Sequence, residues 1–230
     1  LSGSIPNFQM LPNLLQLHLY DNKLTGNIPD FINLPKLIVL NLSNNQLNGS
    51  IPSFEKLQYL TSLALSSNQL IGPIPNFKIK TKLQYLDLSY NKLSGQIPIF
   101  DELSNLRSLN LSGNKLMDTI PNFKNLNNVQ QLNLSNNLLT GKIPDFDNML
   151  SMVYINVAYN QLSGCFPDLI KRLCGVNANF SNNSKLPWSG SFFEFCNGNQ
   201  QIGAPCKDND ATTINEKIDI NCNCLGTKGS

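Results

Sequence analysis

Charge is scarce in this sequence. Only 14% of its 230 residues are Asp, Glu, Lys or Arg, and 17 basic against 15 acidic side chains leave a net charge of +2. No block of Lys or Arg stands out, so the electrostatic footprint of a nucleic-acid binder is missing. Histidine occurs once, at His18, which leaves nothing from which to build a Ser/His/Asp or Cys/His relay. Cysteine is absent from residues 1–164. No apolar run approaches the ~18 residues of a membrane-spanning helix. No Gly-rich phosphate loop is present either. These absences argue against an enzyme.

What is present is repetition. The stretch Leu86-Asp87-Leu88-Ser89-Tyr90-Asn91-Lys92-Leu93-Ser94-Gly95-Gln96-Ile97-Pro98 recurs with a period of 23 residues. Its asparagine falls at Asn22, Asn45, Asn68, Asn91, Asn114, Asn137 and Asn160. The Ile-Pro pair keeps the same beat from Ile5-Pro6 to Ile143-Pro144. A third column reads Phe8, Phe31, Phe54, Phe77, Phe100, Phe123 and Phe146. A fixed period in this range is the signature of a solenoid.

Within one repeat Leu86 and Leu88 alternate with Tyr85, Asp87 and Ser89, the pattern of a short strand with one buried face. Burying the apolar side chains of one repeat returns less free energy than ordering its backbone costs, so a single repeat cannot fold alone. Stacking solves this by covering both sides of every leucine layer. The asparagine ends the strand and has both donors and an acceptor for turn backbone. Gly26, Gly49, Gly72, Gly95 and Gly141 suit positive φ after it. Proline after isoleucine keeps the far side from becoming regular helix, and the phenylalanines predict a continuous spine there.

The motif L-x-x-L-x-L-x-x-N-x-L-x-G-x-I-P resembles the plant-type leucine-rich repeat family over residues 1–175. The resemblance implies a mostly-β solenoid of the α/β type: a right-handed superhelix with short parallel strands on the concave side and an irregular convex side. Residues 176–200 then read as a C-terminal cap and 201–230 as a Cys-rich tail module. Leu1–Pro6 aligns with Leu24–Pro29, so the sequence opens within a repeat. The expectation is that the first leucine layer is covered, either by upstream repeats or by the tail of a neighbouring copy.

Two outward columns are expected on the concave sheet. One reads His18, Asn41, Ala64, Asp87, Asn110, Asn133 and Asn156; the other reads Tyr20, Ser43, Ser66, Ser89, Ser112, Ser135 and Ala158. Asp87 has Ala64 and Asn110 as register neighbours, so the paired carboxylates of a glycosidase are missing. Tyr20, Tyr85, Asp87, Tyr90, Tyr154 and Tyr159 are the candidate ligand contacts, since rings on a polar sheet serve as anchors for protein or glycan. Packing between exposed rings is the competing explanation. Sequons at Asn41, Asn48, Asn110, Asn133, Asn179 and Asn182 are candidate glycosylation sites in a secreted eukaryotic setting, while Leu-Asn-Leu-Ser is also the repeat consensus.

Cys165, Cys174, Cys196, Cys206, Cys222 and Cys224 crowd the end of the chain. They read as three disulfides in an oxidising compartment, and so as an extracellular or cell-surface protein. Cys165 and Cys174, close in sequence, are expected to pair, leaving the other four to close the tail. Zinc is disfavoured because the C-x-x-C spacing is absent. The segment from Pro205-Cys206-Lys207-Asp208 to Asn221-Cys222-Asn223-Cys224-Leu225-Gly226-Thr227 resembles a short Cys- and Asp-bearing module of secreted bacterial surface proteins. Asp208, Asp210 and Asp219 are calcium candidates there, against a solvated loop. No other cofactor is implied.

Two functions remain open. One is a structural, self-assembling module that joins head to tail into a homopolymer or fibril, with Phe8, Leu14, Leu17 and Leu19 of one copy against Trp188, Phe192 and Phe193 of the next. The other is a receptor- or inhibitor-like recognition module that binds a protein or glycan on its concave face.

Overall fold

The computed structural model describes residues 1–78, 82–100, 102–175, 177–197, 213–218 and 224–228. Of Trp188 and of the last two strands it describes the backbone path, with Lys217 the one exposed side chain placed. Eight three-residue strands form one parallel sheet: Gln16–His18, Val39–Asn41, Ser62–Ala64, Tyr85–Asp87, Ser108–Asn110, Gln131–Asn133, Tyr154–Asn156 and Asn177–Asn179. They lie in chain order, and each leucine faces the equivalent residue 23 positions away, as Leu86 faces Leu63 and Leu109. The middle residue of each strand in the repeats points into the core; Leu40, Leu63, Leu86 and Leu109 are all buried. Only the outer residues of such short strands meet solvent, which makes this sheet the natural display surface.

The asparagine column holds the coils together. The Asn91 amide donates to the carbonyls of Leu65, Leu88 and Ser89 at 3.0, 3.2 and 3.2 Å, and its Oδ1 accepts the Leu70 N–H at 3.0 Å. Asn45, Asn68, Asn114, Asn137 and Asn160 repeat this set, all buried. Each amide thereby satisfies backbone groups of its own coil and of the preceding one, deep in an apolar wall. An eighth rung follows at Asn183, whose amide reaches the Val157 carbonyl at 3.0 Å and accepts from the Leu162 N–H at 3.0 Å. The ladder thus runs on into residues read as cap from the sequence.

A second set of parallel strands follows the asparagines, which the turn reading did not anticipate. Ser2–Ser4, Lys23–Asn27 and Gln46–Asn48 form one ladder. Ile71–Gly72, Lys92–Gln96, Lys115–Thr119, Leu138–Gly141 and Gln161–Leu162 form another. The glycine column lies within or just after these strands with positive φ, and Asp118 stands in it with φ 66°. On the convex side the chain is a series of turns, with no helix among the described residues before Asp168–Leu173. Phe31, Phe54, Phe100, Phe123 and Phe146 are fully buried there, with neighbouring rings stacked 6.3 to 6.5 Å apart where they pair, as Phe31 does with Phe54 and Phe77 with Phe100. Each of these phenylalanines has a left-handed backbone, φ near 50°, and Phe31 offers its carbonyl to the Leu34 N–H at 2.9 Å. A bulky residue enters that region only at a cost. Burial in the spine outweighs it.

The last coil is closed by rings. Phe166, Phe180, Phe192 and Phe195 cluster with centroids 4.8 to 5.7 Å apart. Gly190 lies against the Phe180 carbonyl with no room for a Cβ. The disulfide in this cap joins Cys174 to Cys196, with Cα atoms 5.6 Å apart, and corrects the expected Cys165–Cys174 pair. Between Cys165 and Cys174 runs the short helix Asp168–Leu173, which carries Cys174 toward the end of the helix Phe192–Cys196. Nearness in sequence is not nearness in space. Cys165 is disulfide-bonded too. Cys206 and Cys222 lie outside the described residues, as does the side chain of Cys224. Thr213–Ile218 and Cys224–Lys228 pair as an antiparallel hairpin.

Replacing Asn91 with leucine should lower the unfolding free energy by about 1–3 kcal/mol or more, because four backbone groups lose their partner together. Urea unfolding of the variant checks this, and a neutral result would contradict a structural role for the ladder. The Cys174–Cys196 bridge closes a separation of 22 residues. Removing it should cost about 3 kcal/mol by loop entropy. Peptide mapping without reduction should recover Cys174 and Cys196 in one linked pair, and the Cys174→Ser and Cys196→Ser variants should be equally destabilised.

Candidate functional site

The concave sheet sorts its outward residues by depth. The first residues of the strands read Gln16, Val39, Ser62, Tyr85, Ser108, Gln131, Tyr154 and Asn177, and the third residues run from His18 through Asp87 to Asn179. These two columns face solvent fully or in part. The serine column, expected on the same surface, is largely buried: Ser43, Ser89, Ser112, Ser135 and Ala158 are 9% exposed or less. Hydrogen bonding pulls it in. Ser112 Oγ and Ser135 Oγ each donate to the asparagine two residues earlier, Asn110 and Asn133, at 2.8 Å, and their N–H groups donate to the same Oδ1 atoms at 3.2 Å. These local turns stiffen the sheet floor and occupy one side of every asparagine amide.

Asp87 sits in that frame as the sole carboxylate of the two solvent-facing columns. Its Oδ1 accepts both the Ser89 hydroxyl at 2.7 Å and the Ser89 N–H at 3.0 Å. Its strand places Tyr85 two residues before it, half exposed. Tyr90 follows at the end of the same turn with φ 52° and is 62% exposed. The ring of Tyr90 lies over Gly113 of the next coil, where an added Cβ would fall 2.8 Å from Cδ1. Glycine there makes room for the ring, so Tyr90 is held and yet displayed. Tyr154 and Tyr159 repeat the arrangement around Asn156, whose amide donates to the Tyr154 hydroxyl at 3.4 Å. Tyr154 stands three strands from Tyr85, with Ser108 and Gln131 between them. At ~4.8 Å per strand the two tyrosine pairs bracket a polar lane about 14 Å wide.

The other candidates fall elsewhere. Tyr20 is half exposed at the sheet edge, edge-on to His18 at 6.2 Å, and His18 lies 3.3 Å from Gln16 Oε1. Asn41, Asn110, Asn133 and Asn179 are partly buried on the concave strands, while Asn48, on the second ladder, and Asn182 are exposed. Among the assembly-face candidates, Leu17 is buried, Phe8, Leu14 and Leu19 are half buried, and Phe193 is 72% exposed. Phe192 is a correction: it packs between Phe166, Phe180 and Phe195 in the cap core, out of reach of a partner. The side chain of Trp188 and the calcium candidates Asp208, Asp210 and Asp219 lie outside the described residues. Among the described residues no group of three or more His, Cys, Asp or Glu lies together as a metal site.

A groove escaped the sequence reading. On the flank that leads into the concave strands, Leu15, Ile38 and Thr61 meet Lys36, Tyr59 and Lys82 around a volume of about 390 Å³. These are two further 23-residue columns, readable as columns, but only the path of the coil brings them onto one surface.

Family descriptions match more than half of this chain: "Leucine Rich repeats (2 copies)" at residues 35–78 and 81–125, and "Leucine Rich Repeat" at 13–34 and 128–149. Among curated proteins none matches. Solved structures do. The LRR ectodomain of the plant membrane receptor kinase GASSHO1/SCHENGEN3 from Arabidopsis thaliana, in complex with CASPARIAN STRIP INTEGRITY FACTOR 2, shares 38% identity at a TM-score of 0.72, covering 74% of this chain and 22% of its own. The Arabidopsis receptor kinase HAESA, in complex with the peptide hormone IDA and the co-receptor SERK1, shares 36% at 0.73, covering 81% and 32%. A Pollen Receptor Kinase 3 structure shares 35% at 0.61, covering 65% of this chain and 76% of its own. The chain therefore spans about a fifth to a third of the first two ectodomains and most of the third. Repeat period, asparagine ladder and these matches agree: the chain belongs to the leucine-rich repeat family.

Proposed function

We propose that this chain is an extracellular, non-catalytic recognition module whose concave face binds a peptide segment of a protein partner. The carrying observation is the lane itself: a lone carboxylate, Asp87, between Tyr85 and Tyr90, with Tyr154 and Tyr159 three strands away. The chemistry of that lane suits a basic side chain. An arginine would meet the Asp87 carboxylate and stack on a tyrosine ring, while the Asn and Gln side chains between the tyrosine pairs serve a ligand backbone. Two similar structures are receptor ectodomains solved with a peptide hormone or a named protein factor, which favours recognition over self-assembly. The Cys174–Cys196 bridge suits an oxidising compartment, and no helix among the described residues is long and apolar enough to cross a membrane. A glycan at Asn48 would stand on the second ladder, clear of the lane, whereas one at Asn110 or Asn133 would obstruct it.

An array of synthetic peptides, each carrying one arginine among apolar residues, tests this reading by direct titration. Asp87→Asn keeps the acceptor for Ser89 while removing the charge, and should weaken the best-binding peptide at least about tenfold, about 1.4 kcal/mol. Tyr85→Ala should do the same, with thermal unfolding little changed. Binding that ignores both substitutions would sink the proposal. Filaments of the purified protein in negative-stain micrographs would instead support the self-assembling alternative.

A further inference from the structure

The flank groove has a chemistry of its own, opposite in sign to the lane. Leu15 and Tyr59 are about half exposed, and Ile38 and Thr61 half buried, so its floor is apolar and open. The Thr61 hydroxyl donates to the Ile38 carbonyl at 3.2 Å, which engages the proton of that floor hydroxyl within the coil. Two cations stand over it. Lys36 Nζ donates to Asn13 Oδ1 at 2.8 Å, and Lys82 Nζ lies 4.7 Å above the centre of the Tyr59 ring. Both partners are neutral, so each lysine is held in place without losing its charge, and each ammonium has further donors to offer. Among the described residues no acidic side chain lines the groove, and the exposed Arg107 continues the basic character two coils further along the Leu15, Ile38 and Thr61 column.

We infer that this groove is a second binding site, for an extended acidic peptide that sets an apolar side chain between two carboxylates. Its volume falls within the range of small-ligand sites. Lys36 and Lys82 belong to coils two apart, which at ~4.8 Å per coil separates them by about 10 Å. Carboxylates three residues apart on a chain in the extended polyproline II conformation, with three residues per turn at ~3.1 Å per residue, lie on one face about 9 Å apart and match that spacing. An aliphatic side chain between them reaches the floor of Leu15, Ile38 and Tyr59. The exposed floor and uncompensated charge make this flank complementary to such a segment and repulsive to a basic one. It works independently of the concave lane.

Fluorescence anisotropy with a labelled aspartate–leucine–serine–aspartate peptide tests the site. Saturable binding is expected, weakened at least about tenfold by the K36E/K82E double variant, and to a similar degree when serine replaces the leucine of the peptide. Raising the salt should weaken it further. The D87N variant should bind this peptide as the wild type does, which separates the groove from the concave lane. Because both lysines are exposed, the double variant should melt close to the wild type; should it fail to fold, K36E and K82E singly carry the same test. Absence of saturable binding, equal binding of a lysine–leucine–serine–lysine peptide, or indifference to the lysine substitutions would overturn the site.

Discussion

Everything in this molecule depends on one buried amide repeated every 23 residues. A solenoid coil has to turn sharply after its strand, and the turn leaves backbone carbonyls and an N–H facing an apolar interior where water cannot reach them. A side chain that both donates and accepts is needed at that point. The amide of Asn91 meets three carbonyls and one N–H, across two coils. Neither aspartate nor leucine has both capacities. The ladder therefore ties each coil to its predecessor as well as closing its own turn, and keeps the strands in register without any long-range sequence signal.

That constraint decides what is left for function. Once leucines, asparagines and phenylalanines are committed inward, each coil has only a few outward positions on the concave side, and the serine column withdraws most of another set by bonding back to its neighbours. The proposed recognition rests on the two remaining columns. The rigid period spaces them evenly, so a ligand bound there would meet a regular lattice broken at a few coils. Tyr85, Asp87 and Tyr154 are such breaks, and Tyr90 stands beside them in the turn that follows its strand. So, on the flank, are Tyr59 and the lysines to either side of it.

The convex side shows the opposite economy. Its phenylalanines accept a left-handed backbone, which disfavours bulky residues, because the burial of each ring in the spine exceeds the local strain. Strain that recurs at Phe31, Phe54, Phe77, Phe100, Phe123 and Phe146 is a property of the coil and not of any one site. It is tolerated since every neighbour adopts the same shape and stacks upon it. The cap abandons this logic: Phe166, Phe180, Phe192 and Phe195 pack as a cluster of mixed angles around the last coil.

The sequence alone was enough to determine the solenoid, its period, the inward leucines and the role of the asparagines. A one-dimensional repeat makes contacts between equivalent positions, so periodicity already states which residues touch. The tyrosines and Asp87 were readable in the same way, as departures from their columns. Tertiary structure decided the rest. Whether a serine column shows its hydroxyls or hides them turns on bonds two residues away, and both states fit the same letters. The Cys174–Cys196 bridge depends on where two short helices end, which no spacing reports. The flank groove exists because the coil's path brings two unrelated columns onto one surface, and only the three-dimensional course of the chain sets that meeting.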